Sequence, residues 1–111
     1  AMNTLKNQVQ LIGHVGTEPE IKNFEGGKKL ANLTLATNET YKNDKGEKVE
    51  ETQWHKVVAW GKTAEVIEKY VSKGKEIAIC GKLTHRRYDD KNGDKRYITE
   101  IVANELLLLG N

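Results

Sequence analysis

Apolar and polar positions alternate with a period of two along most of this chain, the spacing of half-buried strands. Over 8–15, Val9, Leu11, Gly13 and Val15 fall on one side. Over 30–37, Ala31, Leu33 and Leu35 face one way and Asn32, Thr34 and Ala36 the other. Between them lie Pro19, which breaks a ladder at a corner, a short segment at 21–24 and a Gly26-Gly27 turn. Residues 38–51 are polar and of mixed charge, with Asp44-Lys45-Gly46 as the turn of an extended hairpin arm. The third strand, at 52–62, puts Trp54, Lys56, Val58 and Trp60 on one face and His55, Val57 and Ala59 on the other. Taken alone, this strand leaves open which set meets the core.

After Gly61 the period changes. Ala64, Ile67 and Val71 recur at helical spacing, with Thr63 as the expected N-cap, Gly74 as the stop, and Glu65 one turn ahead of Lys69. Strands then resume. Ile77, Ile79, Gly81 and Leu83 share a face opposite Ala78, Cys80 and Lys82, and Asn92-Gly93 predicts a tight hairpin whose two turn residues take positive φ. The last strand carries Tyr97, 98–103 and the apolar 106–109. Gly13 and Gly16 mark places where the backbone bends or another strand comes close. Ala1, ahead of Met2, reads as a cloning remnant, so 2–111 forms one domain.

Five strands with one short helix between the third and fourth is the order of an OB-fold, an all-β Greek-key barrel that commonly binds oligonucleotides. Composition narrows how it could do so. Eighteen basic against sixteen acidic residues leave a net charge of +2, too little to hold a polyanion by bulk charge. Locally placed cations must act together with stacking rings. Seven aromatics are available, and most have a basic neighbour: Tyr41 beside Lys42, Trp54 near Lys56, Trp60 near Lys62, Tyr88 after Arg86 and Arg87, Tyr97 after Arg96. Rings on a strand face or polar arm suit bases, whose stacking tolerates any sequence. Phe24 and Tyr70 are assigned instead to the core.

Other chemistries find little support. His14, His55, His85 and Cys80 lack the paired spacing of a structural zinc site, so no metal or cofactor is expected. Neither a phosphate-binding glycine loop nor a nucleophile elbow is present, and an enzyme is not expected. The single cysteine, Cys80, fits a reducing compartment and reads as a small buried hydrophobe. No signal sequence or membrane-length apolar run is seen, which points to the cytoplasm and to no membrane partner.

Trp54-His55-Lys56-Val57-Val58 followed by Trp60-Gly61-Lys62, together with Val9 to Gly16, Thr17-Glu18-Pro19-Glu20, Ala31 to Thr37, Ala64 to Gly74 and Gly81 to Tyr88, resembles the DNA-binding domain of bacterial single-stranded DNA-binding proteins over nearly the whole chain. The resemblance implies a homotetramer of OB-folds with single-stranded DNA wrapped around it and no base-specific readout. The family's stacking positions match Trp54, Trp60 and Tyr88. Tyr41 matches a position at the base of the arm that is often tryptophan. His55 matches a histidine associated with subunit contacts. Lys56, Lys62, Lys73, Arg86 and Arg87 are phosphate partners by position and charge. Many members continue into a Gly/Pro-rich tail with an acidic tip that recruits replication and repair enzymes; this sequence stops at Leu109-Gly110-Asn111, so DNA binding carries over and recruitment does not. The alternative is a primosomal-type OB-fold adaptor acting through protein contacts in replication restart; RNA binding through the same face is a third.

Overall fold

Each alternating stretch forms a strand, and the arms extend the strands well past the barrel. The computed structural model describes residues 6–110, so the reading of Ala1 and Met2 lies outside the described residues. In order come β1 (Val9–Val15), β2 (Glu20–Asn23), β3 (Lys29–Lys42), β4 (Lys48–Trp60), α1 (Gly61–Tyr70), β5 (Glu76–Asp89) and β6 (Lys95–Leu108). The sheet runs β1-β5-β6-β4-β3-β2, and a β1–β3 pairing closes five of its strands into the OB-fold barrel, with β2 as an added edge. Two of the joins are short. β1 meets β3 only at His14↔Ala36 and Val15↔Leu35, and β4 meets β6 in parallel only at Val57↔Ile101 and Val58↔Val102.

Side-chain alternation places the core where the sequence suggests. Ala31, Leu33 and Leu35 of β3 meet Val57 and Ala59 of β4, and Ile77 and Ile79 of β5 meet Ile101 and Ala103 of β6. Every member of this core is aliphatic. Two assignments of aromatics to the core are therefore corrected: Phe24 is 46% and Tyr70 59% exposed. A five-stranded barrel encloses a narrow space that branched aliphatics already fill. Phe24 follows the edge strand β2, and Tyr70 closes the helix.

The helix plugs one end of the barrel with Ala64 and Ile67, but it starts earlier than Thr63. Gly61, at φ 62°, turns the chain directly from β4 into α1, so Trp60 takes the N-cap position without a side-chain cap bond. The Thr63 hydroxyl reaches instead towards the Asn104 carbonyl, at 3.5 Å. Glu65 and Lys69 form no ion pair among the described residues; Glu68 pairs across to Lys29 of β3.

Glycine allows the close strand crossings. A Cβ on Gly13 would lie 2.2 Å from the Ala36 carbonyl oxygen, and one on Gly81 would lie 2.0 Å from that of Val102. Beside Gly81 the ladder shifts register, so that Cys80 pairs with Glu105 and Gly81 with Ala103, leaving Asn104 as the extra residue of a bulge. The bulge resets the alternation and lets Leu106, rather than Leu107, pack on the core. The β5–β6 turn is also one residue longer than expected. Asp90 and Asp94 close a loop in which only Gly93 has positive φ, 82°, and Asn92 does not. The Asp90 carboxylate accepts the N–H groups of Asn92 and Asp94, just as the Asn43 side-chain oxygen accepts those of Lys45 and Glu47 in the other arm.

Candidate nucleic-acid interface

The outer pleat of β4 carries Trp54, Lys56 and Trp60, and both indoles stand in solvent, 64% and 48% exposed. His55, Val57 and Ala59 point inwards, which settles the question the strand alone left open. Each ring is positioned by a neighbouring strand. A Cβ on Gly16 would lie 2.3 Å from Cζ3 of Trp54 and 2.9 Å from Oγ1 of Thr34, so the indole lies against bare backbone at the end of β1. Trp60 pairs across from Leu30 and has Phe24 beside it, with ring centroids 6.0 Å apart and planes tilted by 32°. Phe24 is thus part of an exposed aromatic pair.

The β5–β6 ribbon forms the opposite wall. Arg86 and Tyr88 share one pleat with Ile98 and Glu100; Arg87 lies on the other, paired across from Tyr97. A cleft of about 420 Å³ opens where β4 and β6 diverge, lined by Trp54, Lys56, Leu83, Tyr88, Tyr97 and Ile98 among others. Tyr97, 73% exposed, also lines this cleft; the stacking positions named from the sequence do not include it, although its place directly after Arg96 in an alternating strand was a usable signal. A second cavity, of about 360 Å³, lies between the β1–β2 corner and the ribbon; Asn32, Thr34, Lys56, Val58, Arg86 and Glu100 are among its walls.

The remaining candidates are spread more widely. Tyr41, 49% exposed, sits on the arm opposite Val49. By alternation it falls on the pleat of Leu35 and His55, not that of the tryptophans. Lys62 opens α1, and Lys73 lies in the turn beyond the helix, where its backbone N–H bonds the Glu18 carboxylate at 3.0 Å. His55 is partly buried, with Nε2 3.0 Å from the Thr37 hydroxyl oxygen. Cys80 is only partly buried and accepts a hydrogen bond from the Gln8 amide at 3.3 Å, so it faces away from the core.

Two arginines of the ribbon are already paired. Arg86 donates from Nε and Nη2 to both oxygens of Glu100, at 2.9 and 3.2 Å, and the hydrogen bond followed by the charge raises its pKa further. Arg96 donates to Asp90 at 2.9 Å; this bond, then the Asp94 N–H, holds that carboxyl below the usual carboxylate range. Lys56 belongs to none of the ion pairs found among the described residues. The face therefore offers exposed rings, one free ammonium at its centre and cations at its margins, an arrangement able to stack bases and touch phosphates.

The comparisons agree with this chemistry. The model of the single-strand binding protein family matches residues 6–109. Single-stranded DNA-binding protein 1 of Chlorobaculum tepidum is 46% identical over 105 residues, spanning 94% of this chain and 65% of the relative. Its namesake in Xylella fastidiosa is 42% identical over 105 residues, spanning 94% of this chain and 77% of the relative. Among solved structures, the SSB of Plasmodium falciparum in complex with single-stranded DNA superposes with a TM-score of 0.87 at 35% identity, covering 94% of this chain and 95% of that one. A deletion mutant of the single-stranded DNA binding protein from Thermus aquaticus gives 0.81 at 29%, covering 94% and 50%. Among the described residues no helix is long and apolar enough to cross a membrane.

Proposed function

Because the chain belongs to the single-strand binding protein family, we propose that it binds single-stranded DNA without reading its sequence, stacking bases on Trp54, Trp60, Tyr88 and Tyr41 and placing phosphates near Lys56, Lys62, Lys73 and Arg87, with Arg86 in the same face but already bonded to Glu100. The observation that carries this reading is the outward placement of both tryptophans around an unpaired lysine, over a core that uses no aromatic residue. Such a protein protects transiently opened strands in the cytoplasm during replication, repair and recombination. It acts by binding, not by catalysis.

The same reading includes a homotetramer. On the outer side of the barrel Ile12 pairs across from Ala78 and Ala78 across from Leu107, a row in which Ile12 is 55% and Leu107 62% exposed. Among the described residues only β5 pairs with β1 along Val9–Ile12, so that none of them covers its other edge, which a second copy could meet. We assign His55 to a subunit contact in this assembly.

One titration tests the proposal. Adding poly-dT at low salt is expected to quench the fluorescence of Trp54 and Trp60 and to saturate, with affinity that falls partially as salt rises. Sedimentation of the free protein is expected to give about four times its 12.5 kDa chain mass. No quenching would refute DNA stacking, and a monomer at micromolar concentration would refute the tetramer. Equal affinity for matched RNA and DNA oligomers would shift the reading to RNA.

A further inference from the structure

Among the described residues Glu100 is the only charged one that is buried, at 8% exposure, and it lies within the candidate DNA face rather than away from it. Its carboxylate is gripped at both oxygens by Arg86, which is itself 57% exposed. Glu18 and Glu20 stand on the walls of the same cavity, where the only cations among the described residues are Lys56 and Arg86; Lys22, which is not part of the wall, pairs with Glu20 at 3.7 Å. A surface that binds a polyanion thus has at its centre a cavity with three carboxylates and two cations. A buried carboxylate needs its partner, since removing that partner leaves a costly unpaired charge. Arg86 cannot turn towards a phosphate without imposing that cost on Glu100.

We propose that Glu100 is a positioning residue that keeps Arg86 off the phosphates and makes the cavity beside it a seat for bases. The neutral pair offers the phosphates no net attraction, and Glu18, with Glu20 only partly offset by Lys22, disfavours the backbone of the strand. The polar walls Asn32 and Thr34, with Val58 and the aliphatic stem of Lys56, accept uncharged base edges and faces. Phosphates then run along the rim, past the free ends of Lys56, Lys62 and Lys73. Arg96 is likewise bonded to a carboxylate of the same ribbon, that of Asp90 at 2.9 Å.

This inference rests on the single-stranded DNA reading, and one set of measurements separates the two. The salt dependence of poly-dT binding is followed by tryptophan quenching in the parent chain, in Glu100→Gln, in Lys56→Gln and in a double variant carrying Glu100→Gln and Arg86→Gln. Glu100→Gln frees Arg86, so the slope of log affinity against log salt is expected to steepen by about 0.7, one added phosphate. Lys56→Gln is expected to lose about the same amount. The double variant, which removes both charges and leaves no buried ion behind, is expected to lose much less than Lys56→Gln. A shallower or unchanged slope for folded Glu100→Gln would overturn the inference. So would a double variant that loses as much slope as Lys56→Gln, even if Glu100→Gln alone failed to fold. A parent chain that shows no quenching removes the DNA reading and this inference with it.

Discussion

An alanine at position 81 is expected to unfold the protein at temperatures where the parent chain is intact. The new Cβ would lie 2.0 Å from the Val102 carbonyl oxygen and within 2.9 Å of two further backbone atoms, so no side-chain rotation can relieve it. Strand β6 would have to withdraw from β5 at the bulge, where Ala103 and Leu106 are presented to the core. Overpacking of this kind typically costs about 1–3 kcal/mol, and a backbone-to-backbone clash belongs at or above the top of that range. Against a total of about 5–15 kcal/mol, that is a large share. Thermal unfolding, compared at equal protein concentration, should fall by roughly 10 °C or more. Gly93→Ala is the instructive contrast: nothing lies within 4 Å of its added Cβ, and only its φ of 82° is unfavourable. Its cost is expected near 1–2 kcal/mol. If the two variants melt together, the crossing at Gly81 is not the constraint described here.

Removing both indoles is expected to have the largest effect on binding. A stacked base contributes about 1–3 kcal/mol, so each of Trp54→Ala and Trp60→Ala should weaken oligo-dT binding by about 5- to 150-fold. The loss in the double variant should approach the product of the two, because the rings stand at opposite ends of the face and share no partner. Trp54, more exposed and supported from one side by Gly16 and Thr34, is expected to contribute more than Trp60, whose ring Phe24 partly covers. Anisotropy of a labelled oligonucleotide measures this without relying on the removed fluorophores. Unchanged affinity in the double variant would exclude stacking on this strand. Unfolding should move little, since neither ring belongs to the core.

Much of this architecture was legible in the sequence because a half-buried strand writes its two faces into alternate positions. The inward face of Leu33 and Leu35 follows from that alternation, and the Asn38–Glu51 arm follows from polar residues flanking a turn. Alternation puts Trp54 and Trp60 on one shared face, and its outward direction follows from the apolar faces that Leu33, Leu35, Ile77 and Ile79 already supply to the core. What alternation does not carry is the way one segment crosses another. The start of the helix depends on the positive φ of Gly61, which makes a cap at Thr63 unnecessary. The bulge at Asn104 has its clearest mark on a different strand, as Gly81. Phe24 and Tyr70 were assigned inwards on hydrophobicity alone, whereas the space available in a five-stranded barrel decides against them. In the site, the strand supplied the rings and Lys56 correctly as one face. The pairing of Arg86 with Glu100 joins residues fourteen apart and could be seen only once the ribbon's register was known.

The two narrow joins of the barrel bear on its mechanics. β3 with β4 and β5 with β6 are each stiff ribbons held by thirteen residue pairs, while two residue pairs join β4 to β6 and two more join β1 to β3. Scissoring the ribbons about those joins would break the fewest ladder pairs, and its displacement would grow towards the tips near Lys45 and Asn92. A strand lying between the ribbons would damp that motion and incur an entropic cost for doing so. Cross-linking the tips would remove that cost in advance, and with it the clearance by which a long strand enters from the side.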